Sequence, residues 1–312
     1  MSKILNIPYK ITKNIPIFNS SNLNPTKNPG IIQNIDKVKY EINKILVDGP
    51  GILVVKDLIK KDRIDEVNEK IDSIAKYQND TKNDHFSNNI RIWNFYEKFC
   101  ILSPKLFVNY FKNPIFDIVF QSFLGPKYQV SSQVNIVKPN SKAQQFHRDY
   151  HLGLMSYEEA QKFPPNIHTS SKNLSLQCLI AHTNINSING STKLIPYSQN
   201  NIEGYLDIHS NKEIKKCEEH AVQLDLDKGD VLFFNPAVYH AAGDNQSNND
   251  RIANILQINS AFSIPMESVN QELIKERLSK ILPKLNLHKY ELFGLNEMVF
   301  NNYNYPKNLD IQ

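Results

Sequence analysis

The stretch that decides the fold covers residues 221–234 and reads AVQLDLDKGDVLFF. From Val222 to Leu226 apolar residues alternate with polar ones, which is typical of a strand with one buried face. The segment DKGD at residues 227–230 turns the chain. The apolar run VLFF at residues 231–234 then follows as a second short strand.

Similar strand signals recur from residue 128 onward. The predicted strands are residues 129–137, 144–150, 174–182, 193–196, 221–226, 231–234 and 252–260. Short strands at this density, separated by turns, predict a sandwich or jelly roll of two facing antiparallel sheets. Two longer insertions interrupt the strands, at about 152–173 and about 198–220, and the first is the candidate gate of a binding site.

Helical periodicity flanks this β region on both sides. Helices are predicted over residues 35–47, 62–77, 104–124 and 267–282, and a short strand over residues 52–55. The whole is predicted to be mainly β with flanking α, in one domain. Its parts are an extended arm at 1–33, a helical cover at 34–127, a β core at 128–262 and a C-terminal helix and tail at 263–312.

Composition excludes several classes of protein. The 312 residues include 36 basic and 32 acidic ones, with no basic block, so a nucleic-acid partner has no support. The three cysteines (Cys100, Cys178 and Cys217) are widely separated, which favours a reducing compartment. No segment has the length and apolarity of a membrane span or a signal peptide. We expect a cytoplasmic protein without a membrane partner, and the oligomeric state stays open.

The first candidate for chemistry is the run QQFHRDY at residues 144–150. Among nine histidines, only His147 stands two residues before a carboxylate, that of Asp149. In a strand, residues i and i+2 point to the same face, so both side chains can bind one ion. Alone, such a pair in a chain of this length is more often accidental.

The second half of the pattern lies about 90 residues further along. His240 follows an apolar strand, and after a turn-rich stretch Arg251 opens another strand. Two histidines and one carboxylate leave positions of an octahedral ion open, which suits iron(II) in oxygenases better than zinc. A guanidinium can then bind the distal carboxylate of a 2-oxoacid. Taken singly, His240 is better explained as a packed histidine and Arg251 as a solvated charge, but the ordered set favours the metal site.

From about Gly51 to Met266 the chain resembles the phytanoyl-CoA dioxygenase family. The resemblance is carried by GILVV at 51–55, VNIVKP at 134–139 before His147, NGSTKLIPYS at 189–198, and Gly229-Asp230 followed by His240, Asn245, Ser247 and Arg251. It implies a double-stranded β-helix of the jelly-roll or cupin type. It also implies iron(II) held by His147, Asp149 and His240, and 2-oxoglutarate held by Arg251.

The sequence departs from the family pattern at three positions. Tyr197 and Gln199 replace the Gly and His of a Pro-Gly-Ser-His segment, and Ala242 stands where many members place a serine that helps to hold the oxoacid. Another donor is therefore expected, and Asn135 is the candidate, with a solvent-facing polar group as the alternative reading. Gln177 is expected to reach the oxoacid or the substrate.

Gln133 and His151 are candidates for lining the substrate pocket, with an ordinary polar network near the metal as the alternative. The expected function is hydroxylation of an aliphatic C–H of a small molecule, using dioxygen and 2-oxoglutarate and releasing succinate and carbon dioxide. A small acid, amine or amino-acid derivative is the preferred substrate. An iron halogenase is a second possibility, against which Asp149 argues because chloride takes the carboxylate's place in such enzymes. A non-catalytic jelly-roll binding protein is the third.

Overall fold

A computed structural model describes residues 7–77, 89–201, 211–261, 263–265, 267–283 and 293. Two β-sheets form the centre of the molecule. The strands are β1 (Tyr9–Thr12), β2 (Ile15–Asn19), β3 (Ile52–Lys56), β4 (Ile90–Ile92), β5 (Tyr128–Val137), β6 (Ser175–Ala181), β7 (Lys193–Leu194), β8 (Val222–Gln223), β9 (Val231–Phe234), β10 (His240–Ala241) and β11 (Arg251–Ser260).

The main sheet has eight strands in the order β1-β2-β3-β9-β6-β11-β5-β4, and the smaller sheet has the order β10-β7-β8. All pairs are antiparallel except β2 with β3. An isolated bridge between His147 and His240 extends the smaller sheet. Two mostly antiparallel sheets with flanking helices confirm the predicted jelly-roll architecture of a double-stranded β-helix.

Helices flank the sheets. They are α1 (Ser20–Leu23), α2 (Gly30–Gln33), α3 (Ile35–Val47), α4 (Lys61–Tyr77), α5 (Phe95–Leu102), α6 (Pro104–Phe111), α7 (Pro114–Leu124), α8 (Tyr157–Ala160), α9 (Pro165–Ser171), α10 (Asn211–His220) and α11 (Gln271–Ser279), with 3-10 turns at His151–Leu154 and Ser198–Asn200. Within the described ranges, none of these helices has the length and apolarity needed to cross a membrane.

The central strands of the main sheet are buried on both faces, because successive side chains point to opposite sides and buried residues occupy both sides. Val55, Phe233 and Leu256 belong to the large core that the helices cover. Their neighbours Val54 and Leu232 belong to a second cluster that lies between the two sheets. The inner face of the main sheet is therefore the face that looks into the double-stranded β-helix.

The structure differs from three local predictions. The prediction of an extended arm over residues 1–33 is wrong for residues 7–33. There, β1 and β2 form a hairpin, and β2 pairs with β3 of the main sheet. Burial of Ile15 and Phe18 stabilises this hairpin. The helix predicted over 104–124 is two helices, because Asn113 caps the second and Pro114 opens it. The strand predicted over 144–150 is a loop with a single bridge. The assignment of the chain to one domain stays a prediction.

Candidate metal centre

Three side chains converge where the smaller sheet ends. One ligand atom from each of His147, Asp149 and His240 lies within 4.8 Å of the others. The backbones of His147 and His240 exchange two hydrogen bonds of 3.0 Å, and the amide of Asp149 donates to the carbonyl of Pro236 at 2.8 Å. The loop that carries the first two residues is thus fastened to the segment that carries the third.

Backbone carbonyls set the orientation of both imidazoles. Nδ1 of His147 lies 2.8 Å from the carbonyl oxygen of Gln145, and Nδ1 of His240 lies 2.9 Å from that of Val238. With the proton on Nδ1, each Nε2 keeps a free lone pair. These Nε2 atoms face Asp149, at 3.5 Å from Oδ1 for His147 and 3.2 Å from Oδ2 for His240.

The charges of the three groups are coupled. Burial alone would raise the pKa of Asp149, but His147, His240 and a hydrogen bond from Gln177 hold it well below its usual value. Burial and the nearby His240 lower the pKa of His147. Burial would also lower the pKa of His240, but Asp149 outweighs it and raises that pKa. An ionised carboxylate thus lies between two imidazoles, and this donor set fits a divalent ion with open positions.

Arg251 is a buried cation without a counter-charge in the described part of the chain. Its side chain donates to the carbonyl of Gly190, and its Nε has no hydrogen-bond partner. Burial lowers its pKa to about 10, and no nearby carboxylate offsets this. A buried charge is costly unless it is paired, so the position suits a bound anion.

The inner face of β5 and β11 runs from Arg251 toward the three converging side chains. Asn135 is in register with Ala253, and Gln133 with Ile255. The carbonyl oxygens of the Asn135 and Gln133 side chains are buried without a hydrogen-bond partner. Buried polar groups without partners are rare in native proteins, so these two acceptor oxygens fit a ligand that brings hydrogen-bond donors.

Gln177 and His151 lie nearer the converging side chains. The amide nitrogen of Gln177 donates to Oδ2 of Asp149 at 2.6 Å, so its observed contact is with a candidate ligand. Nε2 of His151 lies 3.0 Å from the carbonyl oxygen of Ile264 and 3.5 Å from the side-chain nitrogen of Asn259 on β11. Gln257 on β11 is paired with Gln177 on β6. Along β11, Arg251 comes before Gln257 and Asn259 comes after it. His151 and Arg251 are therefore on opposite sides of the centre.

Comparison with known proteins identifies the family. The family model described as phytanoyl-CoA dioxygenase (PhyH) matches residues 47–253, more than half of the chain. The chain belongs to the phytanoyl-CoA dioxygenase family.

Curated relatives of this PhyH-family chain come from fungi. It is 27% identical to "Dioxygenase trt7" of Aspergillus terreus over 137 aligned residues. The aligned region covers 44% of this chain and 42% of the relative. It is 27% identical over 158 residues to "Iron/alpha-ketoglutarate-dependent dioxygenase ausU" of Aspergillus calidoustus, covering 49% and 47%. The matches span less than half the length of these relatives.

Solved structures are similar to this PhyH-family chain in fold, and at 12–13% identity they show the fold and nothing further. The non-heme alpha ketoglutarate dependent epimerase SnoN from nogalamycin biosynthesis aligns with a TM-score of 0.51 and 12% identity, over 78% of this chain and 93% of that chain. HygX from Streptomyces hygroscopicus, with nickel and 2-oxoglutarate bound, aligns with a TM-score of 0.51 and 13% identity, over 73% and 90%.

The departures from the PhyH pattern have structural roles. Tyr197 adopts a left-handed φ of 70°, a conformation that glycine adopts easily, and its amide donates to the carbonyl of Pro50 at 3.0 Å. The buried Gln199 donates to the carbonyl of Gly49 at 2.8 Å. Ala242 exchanges hydrogen bonds of 2.9 Å with Gln144, from its amide to the Gln144 side chain and from the Gln144 amide to its carbonyl. Residues 197–199 thus pack against the turn at Gly49 and Pro50, which precedes β3.

Sequence reasoning missed Arg148, which positions the centre of this PhyH-family chain. Its guanidinium is fully buried, lies 4.0 Å from the ring centroid of Tyr239 and donates to the carbonyl of Ser198 at 3.0 Å. It therefore joins the loop of His147 to the residue before His240. Composition offered a signal, because only five of the 36 basic residues are arginine and a stacked site needs the planar group.

Proposed function

We propose that this chain is an iron(II)- and 2-oxoglutarate-dependent dioxygenase that hydroxylates an aliphatic C–H of a small molecule, with release of succinate and carbon dioxide. The observation that carries the proposal is the joint arrangement of His147, Asp149 and His240 with Arg251. The two histidines and the aspartate suit a divalent ion with open positions. The arginine is a buried cation with no carboxylate beside it among the described residues.

Each candidate residue has a role in this proposal. His147, Asp149 and His240 hold the iron, and the iron and cosubstrate supply the oxidising chemistry when they are bound. Arg251 binds the distal carboxylate of 2-oxoglutarate through paired hydrogen bonds. Among the supporting side chains, Asn135 and Gln177 contact the oxoacid, and Gln133 and His151 line the substrate pocket.

The protein contributes orientation and exclusion of water. Gln177 holds the Asp149 carboxylate, and two backbone carbonyls hold the imidazoles, so the ligands are in place before anything binds. Phe234 packs against the His240 ring with centroids 5.0 Å apart. Apolar residues between the two sheets, among them Leu179 and Leu232, keep the interior dry.

The reaction outcome is the part of the proposal that fold similarity supports least. Structures with this fold include an epimerase and a carbocyclase, both from nogalamycin biosynthesis, so the fold alone does not fix the reaction. Asp149 favours hydroxylation over halogenation, because its carboxylate lies where a halide would have to bind. We further propose a reducing, cytoplasmic compartment, which is supported by three buried cysteines that form no disulfide within the described residues.

The test is 2-oxoglutarate turnover with iron(II) and a panel of small acids, amines and amino-acid derivatives. We expect succinate release that a substrate stimulates, and a product that has gained one oxygen atom. His240→Ala should abolish turnover and leave the fold intact, while His220→Ala on the exposed end of α10 should change neither. Iron bound in a 1:1 ratio without succinate formation on any compound would favour a non-catalytic binding protein.

A further inference from the structure

The inner face of the main sheet is open to solvent over β5 and β11. On β5, Gln133 and Asn135 are half-buried, whereas the side chains that point toward the helices are buried. Ile255 and Gln257 on β11 are half-buried as well, and they belong to the same inner face because alternate residues of a strand point to one side. Gln133 is in register with Ile255, so the open positions adjoin one another.

Three glutamines lie together on this open face. Gln257 is in register with Gln177 on one side and with Ser131 on the other. Gln133 follows Ser131 by two residues and is therefore diagonal to Gln257. Diagonal neighbours on adjacent strands lie about 7–8 Å apart, which long side chains can span. We call Gln133, Gln177 and Gln257 the glutamine cluster.

The glutamine cluster adjoins the candidate metal centre directly. The amide nitrogen of Gln177 donates to Oδ2 of Asp149 at 2.6 Å, so no other side chain separates the two. Solvent reaches the centre too, because the side chains of His147 and Asp149 are 30% and 20% exposed. A small molecule with its reacting carbon at the centre can therefore rest on the cluster.

Two amides of the cluster have an oxygen that lacks a hydrogen-bond partner among the described residues. These atoms are Oε1 of Gln133 and Oε1 of Gln177, and both are buried. The orientation of the Gln177 amide is fixed, because the Asp149 carboxylate only accepts and so takes the nitrogen. A buried acceptor without a partner is costly, so the two oxygens need donors. The diacid 2-oxoglutarate brings acceptors only, which leaves the substrate to supply these donors.

The charges around the cluster are balanced. In the proposed function, the charges of the ion and of Arg251 offset those of Asp149 and of the bound diacid. Arg91 on β4 is the nearby cation at the rim, and it lies beside the Glu267 carboxylate. The cluster itself carries no charge. These surroundings favour an uncharged substrate over an ionised one, because an ion would lose its hydration without gaining a counter-charge.

We propose that the substrate is an uncharged polyol whose hydroxyl groups bind to the glutamine cluster. A hydroxyl both donates and accepts, as does a side-chain amide, so neighbouring hydroxyls match neighbouring amides. An alkyl chain would leave both oxygens unpaired. This class differs from the acid, amine or amino-acid derivative that the sequence favours. The proposal rests on the proposed function, because the cluster adjoins the same centre.

The test measures the binding of four probes that share a six-membered ring: myo-inositol, cyclohexanol, cyclohexylamine and cyclohexanecarboxylate. The full chain is loaded with nickel and 2-oxoglutarate, and ligand-observed NMR titrations give the affinities. We expect myo-inositol to bind about tenfold more tightly than each of the others, or better, since one additional net hydrogen bond corresponds to about tenfold in affinity.

Two variants connect this preference to the cluster. Gln133→Met keeps the length of the side chain and removes its amide, so it should weaken myo-inositol binding by about tenfold or more. Gln257→Met should act in the same direction. Gln33→Met at the exposed end of α2 is the matched control and should change nothing. Thermal melts and the loading step check the fold of each variant.

Equal or tighter binding of another probe, binding of no probe, or myo-inositol binding that survives both cluster substitutions would overturn the proposal. Failure of the proposed function looks different, because the native chain would then bind neither nickel nor 2-oxoglutarate in the loading step.

Discussion

At the scale of single residues, the proposed function depends on Arg251 more than on any other cation. The guanidinium lies buried at the start of β11 with only one described hydrogen bond, to the carbonyl of Gly190. Lysine would keep the charge at this position but would lose the planar fork and part of the reach. In the proposed function, the arginine side chain therefore decides whether 2-oxoglutarate is bound in one orientation.

Arg251→Lys should raise the apparent KM for 2-oxoglutarate by about tenfold or more while leaving iron affinity largely unchanged. Arg251→Ala should nearly abolish productive binding of 2-oxoglutarate, because the distal carboxylate would be buried without its partner. Steady-state kinetics and metal titration check the two effects separately. Arg277→Lys on exposed α11 is the matched control. Normal 2-oxoglutarate dependence in Arg251→Ala would contradict the cosubstrate assignment.

At the scale of elements, His182 joins the end of β6 to two helices. Its Nε2 lies 2.6 Å from the hydroxyl of Tyr110 on α6, and its Nδ1 lies 2.7 Å from Oδ1 of Asn68 on α4. Burial lowers the pKa of His182 to about 3. The folded protein thus keeps this imidazole neutral over a pH range in which the unfolded chain binds a proton.

This difference predicts an acid-sensitive fold. Between the unfolded pKa near 6.5 and the folded pKa of about 3, the unfolded state binds more protons, so stability falls as pH falls through this window. His182→Gln keeps an acceptor for Tyr110 and a donor for Asn68 but does not titrate. Between pH 7.5 and 5, the native chain should lose about 2 kcal/mol more free energy of unfolding than the variant. Urea titrations at both pH values measure it, and equal losses would contradict the prediction.

Elements with strong patterns were predictable from the sequence. The apolar run of β9 and the periodic helix α3 lie within the predicted bounds. The loop carrying His147 was not predictable, because backbone bonds to Pro236 and His240 from distant sequence hold it. The β1–β2 hairpin was missed for the same reason, since its pairing with β3 is a tertiary contact. Spacing identified the candidate ligands, whereas the scarcity of arginine only hinted at Arg148, and its burial shows its positioning role.

At the scale of the whole molecule, the three cysteines are distributed through the cores rather than placed at a site. Cys100 and Cys178 lie in the core between sheet and helices, and Cys217 on α10 packs with Phe146 and Tyr239. All three are free. Burial raises the pKa of Cys100 to about 12, which makes its thiol unreactive.

A thiol reagent such as DTNB should therefore titrate no cysteine in the native protein. It should titrate all three after unfolding in guanidinium, because no described pair forms a disulfide. Native protein incubated without reagent and then unfolded serves as the control for air oxidation. Fast reaction of one thiol in the native state would mean that a core opens easily, and a count below three after unfolding would mean a disulfide.

The paired backbone bonds between His147 and His240 have a consequence for how such a chain can diversify. Main-chain atoms hold the two imidazoles at their separation, while the polar groups of the pocket are side chains on the main sheet. Substitutions of side chains on β5 and β11 can therefore change the inner face without touching these backbone bonds, whereas Gln177 on β6 contacts Asp149 directly. The backbone bonds that hold the two imidazoles and the polar side chains of β5 and β11 belong to different segments of the chain. Selection can therefore change those side chains while the two imidazoles keep their positions.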